Sequence, residues 1–425
     1  MEMRRAARVN VLVVVAILLA AVLLYVQRPP SFLRWMCLTP LGETASQSER
    51  FAPPKTLWSV PPATSADLPG RGRKVVITGG AGFIGSQLGW FLHNEGFDVV
   101  LIDNMKFGYQ DNLIVDGKKF GTVVVADVLD AKRLVPFIEN AFVMFHFAAL
   151  SALPVCQSRP QEAMEVNVGG TAAMLEMARL HNVERFIFAS TSATYENTAP
   201  NDEGRLSENA TVDPHLIYSL TKLQGEELVR AMAKSYNMDT VILRFFNVYG
   251  PHQDFRRLSP PFTSYIVREL IAGHRAILHS NGLQRRDYVH VDDLMRLCVL
   301  TMTSTKAVGY TFNVASGESY SVNEMYEIVA KYVNRTDVVP EYHSAERFWD
   351  AYPELFQGRR PIDKKILIKE VNKNSRGDNS RAADRLGWVP RVTMQKGLHG
   401  LVDYMREALR ALRTNGDTDL KTAWV

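Results

Sequence analysis

The segment YSLTK at residues 218–222 places Tyr218 and Lys222 four residues apart. On a helix these two positions share one face and lie one turn apart. A lysine ammonium beside a phenol favours the phenolate and so lowers the pKa of the tyrosine. A tyrosine of this kind can remove a proton near neutral pH, so we predict Tyr218 as a general base and Lys222 as its partner.

A glycine-rich turn, TGGAGFIG at residues 78–85, lies between an apolar strand and an apolar helix. Gly79 allows a tight turn off the strand, Gly82 lets the backbone approach a pyrophosphate, and Gly85 lets helix and sheet pack closely. The helix N-terminus adds backbone amide hydrogens and the positive end of the helix dipole. The turn therefore predicts a binding site for the pyrophosphate of a dinucleotide.

Two aspartates follow at the ends of later strands. Asp103 closes the second strand about twenty residues after the turn, where a carboxylate can accept hydrogen bonds from the adenosine ribose and would repel a 2′-phosphate. We therefore expect NAD in preference to NADP. Asp127 closes the third strand, where it would serve either the adenine or a simple turn at the strand end.

Short apolar runs alternate with amphipathic stretches from Lys74 onward. The runs are KVVIT, DVVLID, TVVVAD, VMFHFAA, RFIFAS and TVILRFF, and amphipathic stretches include 160–182 and 217–235. This alternation predicts an α/β fold with a Rossmann-type, doubly wound parallel sheet. The hydroxyl-rich strand end at 190–192 would lie at the carboxyl edge of that sheet, where ligands bind. After Gly250 the alternation loosens, which predicts a smaller C-terminal substrate-binding domain.

The N-terminal residues differ from this folded body. Residues 11–26 form an unbroken apolar run after three arginines, which predicts a transmembrane signal anchor, with a cleavable signal peptide as the alternative. We accordingly expect a single-pass, type II membrane protein of the Golgi or ER with a lumenal catalytic domain. The predicted organisation is a short cytoplasmic N-terminus (1–10), the anchor (11–26), a stem (27–72), an NAD-binding Rossmann domain (73–250), an interleaved substrate-binding region (251–410) and a tail (411–425).

The composition argues against several other classes of protein. The net charge of +4 is spread along the chain and not gathered in a basic block, so we expect no nucleic-acid partner. Cys37, Cys156 and Cys298 are far apart and give neither a metal-ligand spacing nor a disulfide framework. We therefore expect no metal.

Several motifs occur together in the order typical of one known family. They are TGGAGFIG, HFAAL (146–150), ASTSATY (189–195), YSLTK, FFNVYGP (245–251) and RRDYVHVDDL (285–294). They resemble the extended short-chain dehydrogenases/reductases and, more narrowly, the NAD-dependent nucleotide-sugar epimerases and dehydratases, over roughly residues 74–410. The resemblance implies NAD as cofactor, a nucleotide sugar as substrate, and a homodimer formed through two long helices.

The resemblance also implies roles for individual positions. Thr191 would act with the Tyr–Lys pair by hydrogen-bonding the 4-hydroxyl of the sugar, with Ser192 as the alternative. Asn167 would lie near the cofactor, and Asn247 and Arg286 would hold the nucleotide diphosphate, since arginine suits phosphate. The positions expected to contact the cofactor are Gly79, Gly82, Phe83, Ile84, Gly85, Asp103, Asp127, Val128, Ala148, Tyr218 and Lys222.

The stretch after Thr191 bears on the reaction. Dehydratases that the chain resembles place an acid pair after this threonine, and UDP-glucuronate decarboxylases place a glutamate in the pattern T-S-E-V-Y-G. The chain reads TSATYE at 191–196, and Ala193 cannot act as acid or base. We therefore predict a 4-epimerase, in which a 4-keto sugar turns over and takes hydride back on its other face. A decarboxylase or 4,6-dehydratase is the alternative, because a shifted loop could present Glu196, and a non-catalytic NAD-binding relative is the second alternative.

Overall fold

The computed structural model describes residues 68–257 and 260–414. The strands in these ranges are β1 (Lys74–Thr78), β2 (Asp98–Asp103), β3 (Ile114–Val115), β4 (Lys118–Lys119), β5 (Thr122–Val125), β6 (Val143–His146), β7 (Arg185–Thr191), β8 (Asp239–Phe245), β9 (Asn247–Tyr249), β10 (Ile277–His279), β11 (Arg285–His290), β12 (Thr311–Val314), β13 (Ser319–Ser321) and β14 (Glu341–His343).

The α-helices in the same ranges are α1 (Phe83–Asn94), α2 (Ala131–Ile138), α3 (Leu153–Ser158), α4 (Pro160–Met164), α5 (Gly170–Leu180), α6 (Ile217–Tyr236), α7 (Phe262–Ala272), α8 (Val291–Thr303), α9 (Val322–Tyr332), α10 (Lys364–Asn372), α11 (Ser380–Leu386) and α12 (Met394–Thr414). A π-helix, Glu165–Gly169, joins α4 to α5. Short 3₁₀ helices span Gln110–Leu113, Ser192–Tyr195, Thr305–Ala307, Ala345–Trp349 and Pro353–Phe356.

The centre of the fold is a seven-stranded sheet in the order β12-β8-β7-β6-β1-β2-β5, and every neighbouring pair is parallel. Alternate residues of β1 face opposite sides of the sheet, with Val75 and Ile77 in one buried cluster and Val76 in another. Strands β1, β2 and β5 follow one another toward one edge of the sheet. The chain then returns to the other side of β1, where β6 pairs with it, so the strand order reverses between β1 and β6. Ligands bind at such a reversal, outside the carboxyl ends of the strands.

The sequence pattern predicted this sheet correctly. The six apolar runs coincide with β1, β2, β5, β6, β7 and β8. The stretch 217–235 coincides with α6, and the stretch 160–182 with α4, the π-helix and α5. Strands that are buried on both faces must be apolar at almost every position, so a local pattern is enough to reveal them. The prediction of a Rossmann-type fold is confirmed.

A third hydrophobic cluster lies among α7, α9 and α12. Beside it β11 pairs in parallel with β9 and antiparallel with β13. Strand β12 comes later in the chain than β11, yet it joins the main sheet beside β8. The chain after β9 therefore contributes to both parts, and the predicted domain boundary at residue 250 stays a prediction.

The segment from β14 to α10, to which the sequence motifs assigned no role, builds a small cluster of its own. Trp349, Leu355 and Leu367 are buried in it together with Leu216, and Leu153 packs against them. Leu216 is the N-cap of α6, directly before its first residue. This segment is therefore packed against the start of the helix that carries the predicted Tyr–Lys pair.

The predicted membrane location requires a correction. No helix within residues 68–257 and 260–414 is both long enough and apolar enough to cross a membrane. The 21-residue α12 has the length, but it carries exposed charges at Lys396, Asp403 and Glu407 and so cannot enter a bilayer. The prediction of a single-pass Golgi or ER membrane protein is wrong on this finding. The predicted anchor at 11–26, the N-terminus at 1–10 and most of the stem at 27–72 lie outside the described residues.

Candidate active site

A cleft of about 510 Å³ opens at the carboxyl edge of the main sheet. Residues at the ends of β2, β7 and β8 and in the turns after β1, β5 and β6 line it. Its position matches the reversal of strand order between β1 and β6, where an open parallel sheet leaves a crevice. All eleven positions predicted to contact a cofactor line this one cleft.

The glycine-rich turn forms one wall of the cleft. Its shape is possible only because glycine has no Cβ atom. Gly79 has φ +72°, and a Cβ there would lie 2.8 Å from the backbone N of Ala148. A Cβ on Gly85 would lie 2.2 Å from the backbone O of Gly79. Gly82 is the N-cap of helix α1 and provides no side-chain cap, so the first backbone amides of the helix are available to an anion.

Two aspartates border the turn. Oδ2 and Oδ1 of Asp103 accept hydrogen bonds from the backbone N–H groups of Ala81 and Met105 at 3.0 and 2.8 Å. Burial raises the pKa of Asp103, although these hydrogen bonds oppose the shift. Asp127 accepts from Nδ2 of Asn104 at 2.7 Å. Both carboxylates thus lie in the cleft at strand ends, as their spacing predicted.

Tyr218 and Lys222 lie in the first two turns of α6, and both line the cleft. Thr191, the last residue of β7, lines it as well, and its hydroxyl is hydrogen-bonded with the phenol of Tyr218. Nζ of Lys222 donates to the backbone O of Ala189 at 2.7 Å and lies 4.8 Å from the centroid of the Phe188 ring. The structure therefore brings together the three residues predicted to be catalytic.

The pKa of Tyr218 does not follow the sequence-based expectation. Burial raises it to about 12, and the hydrogen bond with Thr191 opposes this shift. Burial also lowers the pKa of Lys222 to about 8, while the charge of Glu226 raises it. The pKa of Tyr218 is therefore raised and not lowered in this structure, because burial of the phenol is the largest influence on it.

A chain of buried hydrogen bonds joins the end of β1 to α6. Oγ1 of Thr78 lies 2.8 Å from Nδ1 of His146, and Nε2 of His146 lies 3.1 Å from Oγ1 of Thr171. Thr171 donates to the backbone O of Asn167 at 2.6 Å, and Nδ2 of Asn167 donates to Oγ1 of Thr221 at 3.0 Å. Because Thr171 already donates its hydrogen, Nε2 of His146 carries the ring proton. Burial lowers the pKa of His146 to about 3, so the ring stays neutral.

Glu226 is a buried carboxylate that the sequence reasoning missed. It accepts from the hydroxyl of Ser190 at 2.5 Å and from Nε and Nη2 of Arg244 at 2.8 and 2.7 Å. Burial opposes its ionisation, but the hydrogen bonds from Arg244 hold the pKa of Glu226 below its ordinary value. Since Ser190 precedes Thr191, this carboxylate ties the end of β7 to α6. Its spacing, four residues after Lys222 on the same helix face, was the available signal.

A family model extends over more than half of the chain. The model for the NAD dependent epimerase/dehydratase family matches residues 75–315. The chain belongs to this family. The resemblance recognised in the sequence motifs is thereby confirmed.

Individual members of the family show how similar this epimerase/dehydratase is to known enzymes. A UDP-glucose 4-epimerase from Mycolicibacterium smegmatis is 31% identical over 336 residues, which are 78% of this chain and 98% of the relative. A dTDP-D-glucose 4,6-dehydratase from Mus musculus is 26% identical over 369 residues, which are 85% of this chain and 93% of the relative. The solved UDP-glucose 4-epimerase from Thermus thermophilus, a complex with NAD, gives a TM-score of 0.65 at 26% identity and covers 78% of this chain and 99% of its own.

NAD is the cofactor of this epimerase/dehydratase, and the cleft has the features that a dinucleotide needs. Gly79 and Gly85 let the turn pack closely against Ala148 and against the start of α1, and the uncapped start of α1 offers amide hydrogens to a pyrophosphate. Asp103 is the candidate partner of the adenosine ribose. The relatives from Mycolicibacterium smegmatis and Mus musculus are named for the nucleotide sugars UDP-glucose and dTDP-D-glucose. Homodimer formation stays a prediction.

Two residues expected to hold the nucleotide diphosphate are placed differently in this epimerase/dehydratase. Asn247 lines the cleft, and its side chain donates to the backbone O of Asp287 at 2.8 Å. Arg286 is absent from the residues that line the described cleft. Its guanidinium donates to the backbone O atoms of Glu370 and Val371, in the last turn of α10, at 2.8 and 3.2 Å. A helix C-terminus attracts a cation, so Arg286 is engaged there, and its role toward phosphate stays a prediction.

Ser192 and Asn167 also lie outside the described lining of the cleft. Ser192 begins a 3₁₀ helix directly after Thr191. Asn167 accepts from the backbone N–H of Leu150 at 2.8 Å and donates to the backbone O of the same residue at 3.0 Å. Because Leu150 lines the cleft, Asn167 shapes it indirectly.

Glu196, the acid that a shifted loop could have presented, lies outside the described lining as well. Its Oε2 accepts hydrogen bonds from the backbone N–H groups of His215 and Leu216, both at 3.0 Å. These amides stand at the start of α6, so the carboxylate acts as a cap for that helix.

Proposed function

We propose that the protein is a UDP-sugar 4-epimerase that works through a transient 4-keto intermediate. The placement of Glu196 carries this proposal. The carboxylate nearest in sequence to Thr191 is held by the backbone amides of His215 and Leu216, and Ala193 offers no acid in its place. Dehydration and decarboxylation need acid or base chemistry beyond the first oxidation, whereas epimerisation needs only the oxidation and its reversal.

The carboxylates that do line the described cleft are Asp103, Asp127, Glu162 and Asp254. Asp103 and Asp127 accept hydrogen bonds near the glycine turn. Glu162 is paired with Lys106, and Asp254 accepts from the hydroxyl of Tyr109 at 3.1 Å. Each of the four is thus already engaged by a neighbouring loop.

In this proposal Tyr218 takes the proton of the sugar 4-hydroxyl, and Thr191 hydrogen-bonds the same oxygen. NAD held by the glycine-rich turn and Asp103 would supply the hydride acceptor and donor at the same carbon. Lys222, which lines the same cleft and is hydrogen-bonded to Ala189, would favour ionisation of the phenol when the proton must leave. The 4-keto sugar then rotates within the cleft, so that it receives both hydride and proton on its opposite face.

The relatives support a uridine nucleotide as well as the reaction class. The relative from Mycolicibacterium smegmatis and the solved protein from Thermus thermophilus are both UDP-glucose 4-epimerases. The dehydratase from Mus musculus aligns with a larger share of this chain, and this observation makes 4,6-dehydration the second candidate. The presence of Thr191, Tyr218 and Lys222 in one cleft argues against a relative without activity.

An isotope experiment separates the two reactions. The full chain is incubated with UDP-glucose deuterated at carbon 4, and in parallel with the glucuronate, xylose and N-acetylglucosamine nucleotides and with dTDP-glucose, and products are followed by NMR. We expect a C4 epimer that keeps deuterium at carbon 4. Deuterium that moves to carbon 6 with loss of water would establish the dehydratase, and release of carbon dioxide from the glucuronate would establish the decarboxylase.

A further inference from the structure

Lys106 and Glu162 form an ion pair between two loops of the cofactor cleft. Lys106 stands three residues after the end of β2, and Glu162 lies in α4, which follows β6. Strand β1 lies between β2 and β6 in the sheet. The pair therefore spans the end of β1, where the glycine-rich turn begins, and both side chains line the same cleft as that turn.

Each partner is held in place by its own surroundings. The backbone N–H of Lys106 donates to Oδ1 of Asn104 at 3.0 Å, and Nδ2 of Asn104 donates to Oδ2 of Asp127 at 2.7 Å. On the other side the guanidinium of Arg159 lies 3.6 Å from Oε2 of Glu162. The hydrogen bond from Lys106 lowers the pKa of Glu162, so the carboxylate is charged at neutral pH.

We propose that the Lys106–Glu162 ion pair is a bridge across the cofactor half of the cleft that slows the release of bound NAD. NAD bound along the glycine turn and Asp103 at the end of β2 would have to leave past these two residues, which line the same cleft. The side chains are 47% and 29% exposed, and ion pairs of this exposure are weak and screened by salt. A weak bridge can open to admit the cofactor and close behind it.

Slow release of NAD is compatible with the reactions of the epimerase/dehydratase family. A cofactor that is reduced and reoxidised within one turnover has no need to leave between turnovers. This holds for epimerisation and for dehydration alike, so the inference concerns NAD binding and goes beyond the choice between the two reactions.

The test measures the release of NAD directly. The full chain is loaded with isotopically labelled NAD, unlabelled NAD is added in excess, and the label that stays bound is followed by rapid filtration. We expect Lys106→Gln and Glu162→Gln each to release NAD about fivefold faster, as the loss of one exposed ion pair allows. The double variant should release NAD no faster than either single variant. Added salt should accelerate the release of NAD from the wild type but not from the variants.

The charge-swapped variant Lys106→Glu/Glu162→Lys should return the release rate toward that of the wild type. Arg133→Gln is the matched control, because Arg133 forms an exposed ion pair with Asp130 at 3.3 Å away from the cleft lining. Thermal melting shows that each variant is folded. Unchanged release in both single variants, or additive effects in the double variant, would overturn the proposal. Since no step requires turnover, this result is independent of the epimerase test.

Discussion

Oε2 of Glu196 accepts a hydrogen bond from the backbone N–H of Leu216 at 3.0 Å, and Leu216 is the N-cap of the helix that carries Tyr218. The same oxygen also accepts from the preceding amide. An acidic residue close in sequence to the candidate substrate threonine is thus part of the helix start and not part of the cleft. This single relationship separates the proposed epimerase from the acid-dependent reactions of its relatives.

Replacing Glu196 should therefore change stability and not the reaction. Glu196→Ala leaves two backbone amides of the helix start without their acceptor, and we expect the free energy of unfolding to fall by about 1 to 3 kcal/mol. The products made by the folded variant should be those of the wild type. Urea denaturation and NMR of the products check the two parts. A stable variant that no longer converts the sugar would contradict the capping role.

Tyr218→Phe removes the hydroxyl that is hydrogen-bonded with Thr191 and leaves the ring in place. We expect kcat to fall by about 100-fold or more, as for the loss of a general base, with the affinity for NAD unchanged. Steady-state kinetics and NAD titration measure both quantities. Tyr236→Phe, on the exposed last turn of the same helix, is the control and should retain full activity. Substantial activity in Tyr218→Phe would refute the assignment of the base.

Lys222 should make both activity and stability depend on pH. Its pKa in the folded chain is about 8, below the ordinary 10.5, because of burial. The unfolded chain therefore binds more protons between these two values, and the contribution of Lys222 to the free energy of unfolding rises with pH across that window. Below about pH 8 both states are protonated and the folded state carries the full cost of burying the charge.

Lys222→Met removes this cost. We expect the variant to gain most in the free energy of unfolding, relative to the wild type, below pH 8, and to lose this advantage as the pH approaches 10.5. Urea denaturation at several pH values measures it. Turnover by the wild type should also decline above about pH 8, where the ammonium is lost. A stability difference that does not vary between pH 7 and pH 10 would show that Lys222 has an ordinary pKa.

Gly85→Ala tests the glycine-rich turn. The added methyl would lie 2.2 Å from the backbone O of Gly79, so the turn and the start of α1 must move apart. We expect the affinity for NAD to fall at least tenfold, measured by titration calorimetry. Gly400→Ala in α12 is the control, since its methyl meets nothing within 4 Å and should stabilise the helix by up to about 1 kcal/mol. Unchanged NAD affinity in Gly85→Ala would contradict the placement of the pyrophosphate.

Glu226→Gln tests the buried link between β7 and α6. The change leaves the guanidinium of Arg244, which is 3% exposed, without its opposite charge. We expect the free energy of unfolding to fall by about 3 kcal/mol or more, measured by urea denaturation. Glu227→Gln, which disturbs only the exposed ion pair with Arg230, should cost less than about 1 kcal/mol. Equal losses in the free energy of unfolding for the two substitutions would show that the buried pair stabilises the protein no more than the exposed pair does.

The sequence by itself determined the features that depend on neighbouring residues. The six apolar runs predicted the central strands, because strands buried on both faces are apolar at nearly every position. The spacing of Gly79, Gly82 and Gly85 predicted the phosphate turn, and the spacing of Tyr218 and Lys222 placed both on one helix face. These relations are set within one strand, turn or helix, so they can be read without knowing the tertiary contacts.

The tertiary structure alone decided what the remaining side chains touch. Glu196 caps α6, Arg286 binds the end of α10, and Lys222 donates to a carbonyl of β7. It also decided that burial raises the pKa of Tyr218, contrary to the expectation from its spacing with Lys222. Partners of this kind are brought together only when strands and helices pack, and desolvation depends on the whole surrounding core. For that reason the positions of the catalytic groups could be predicted, whereas their hydrogen bonds and proton affinities could not.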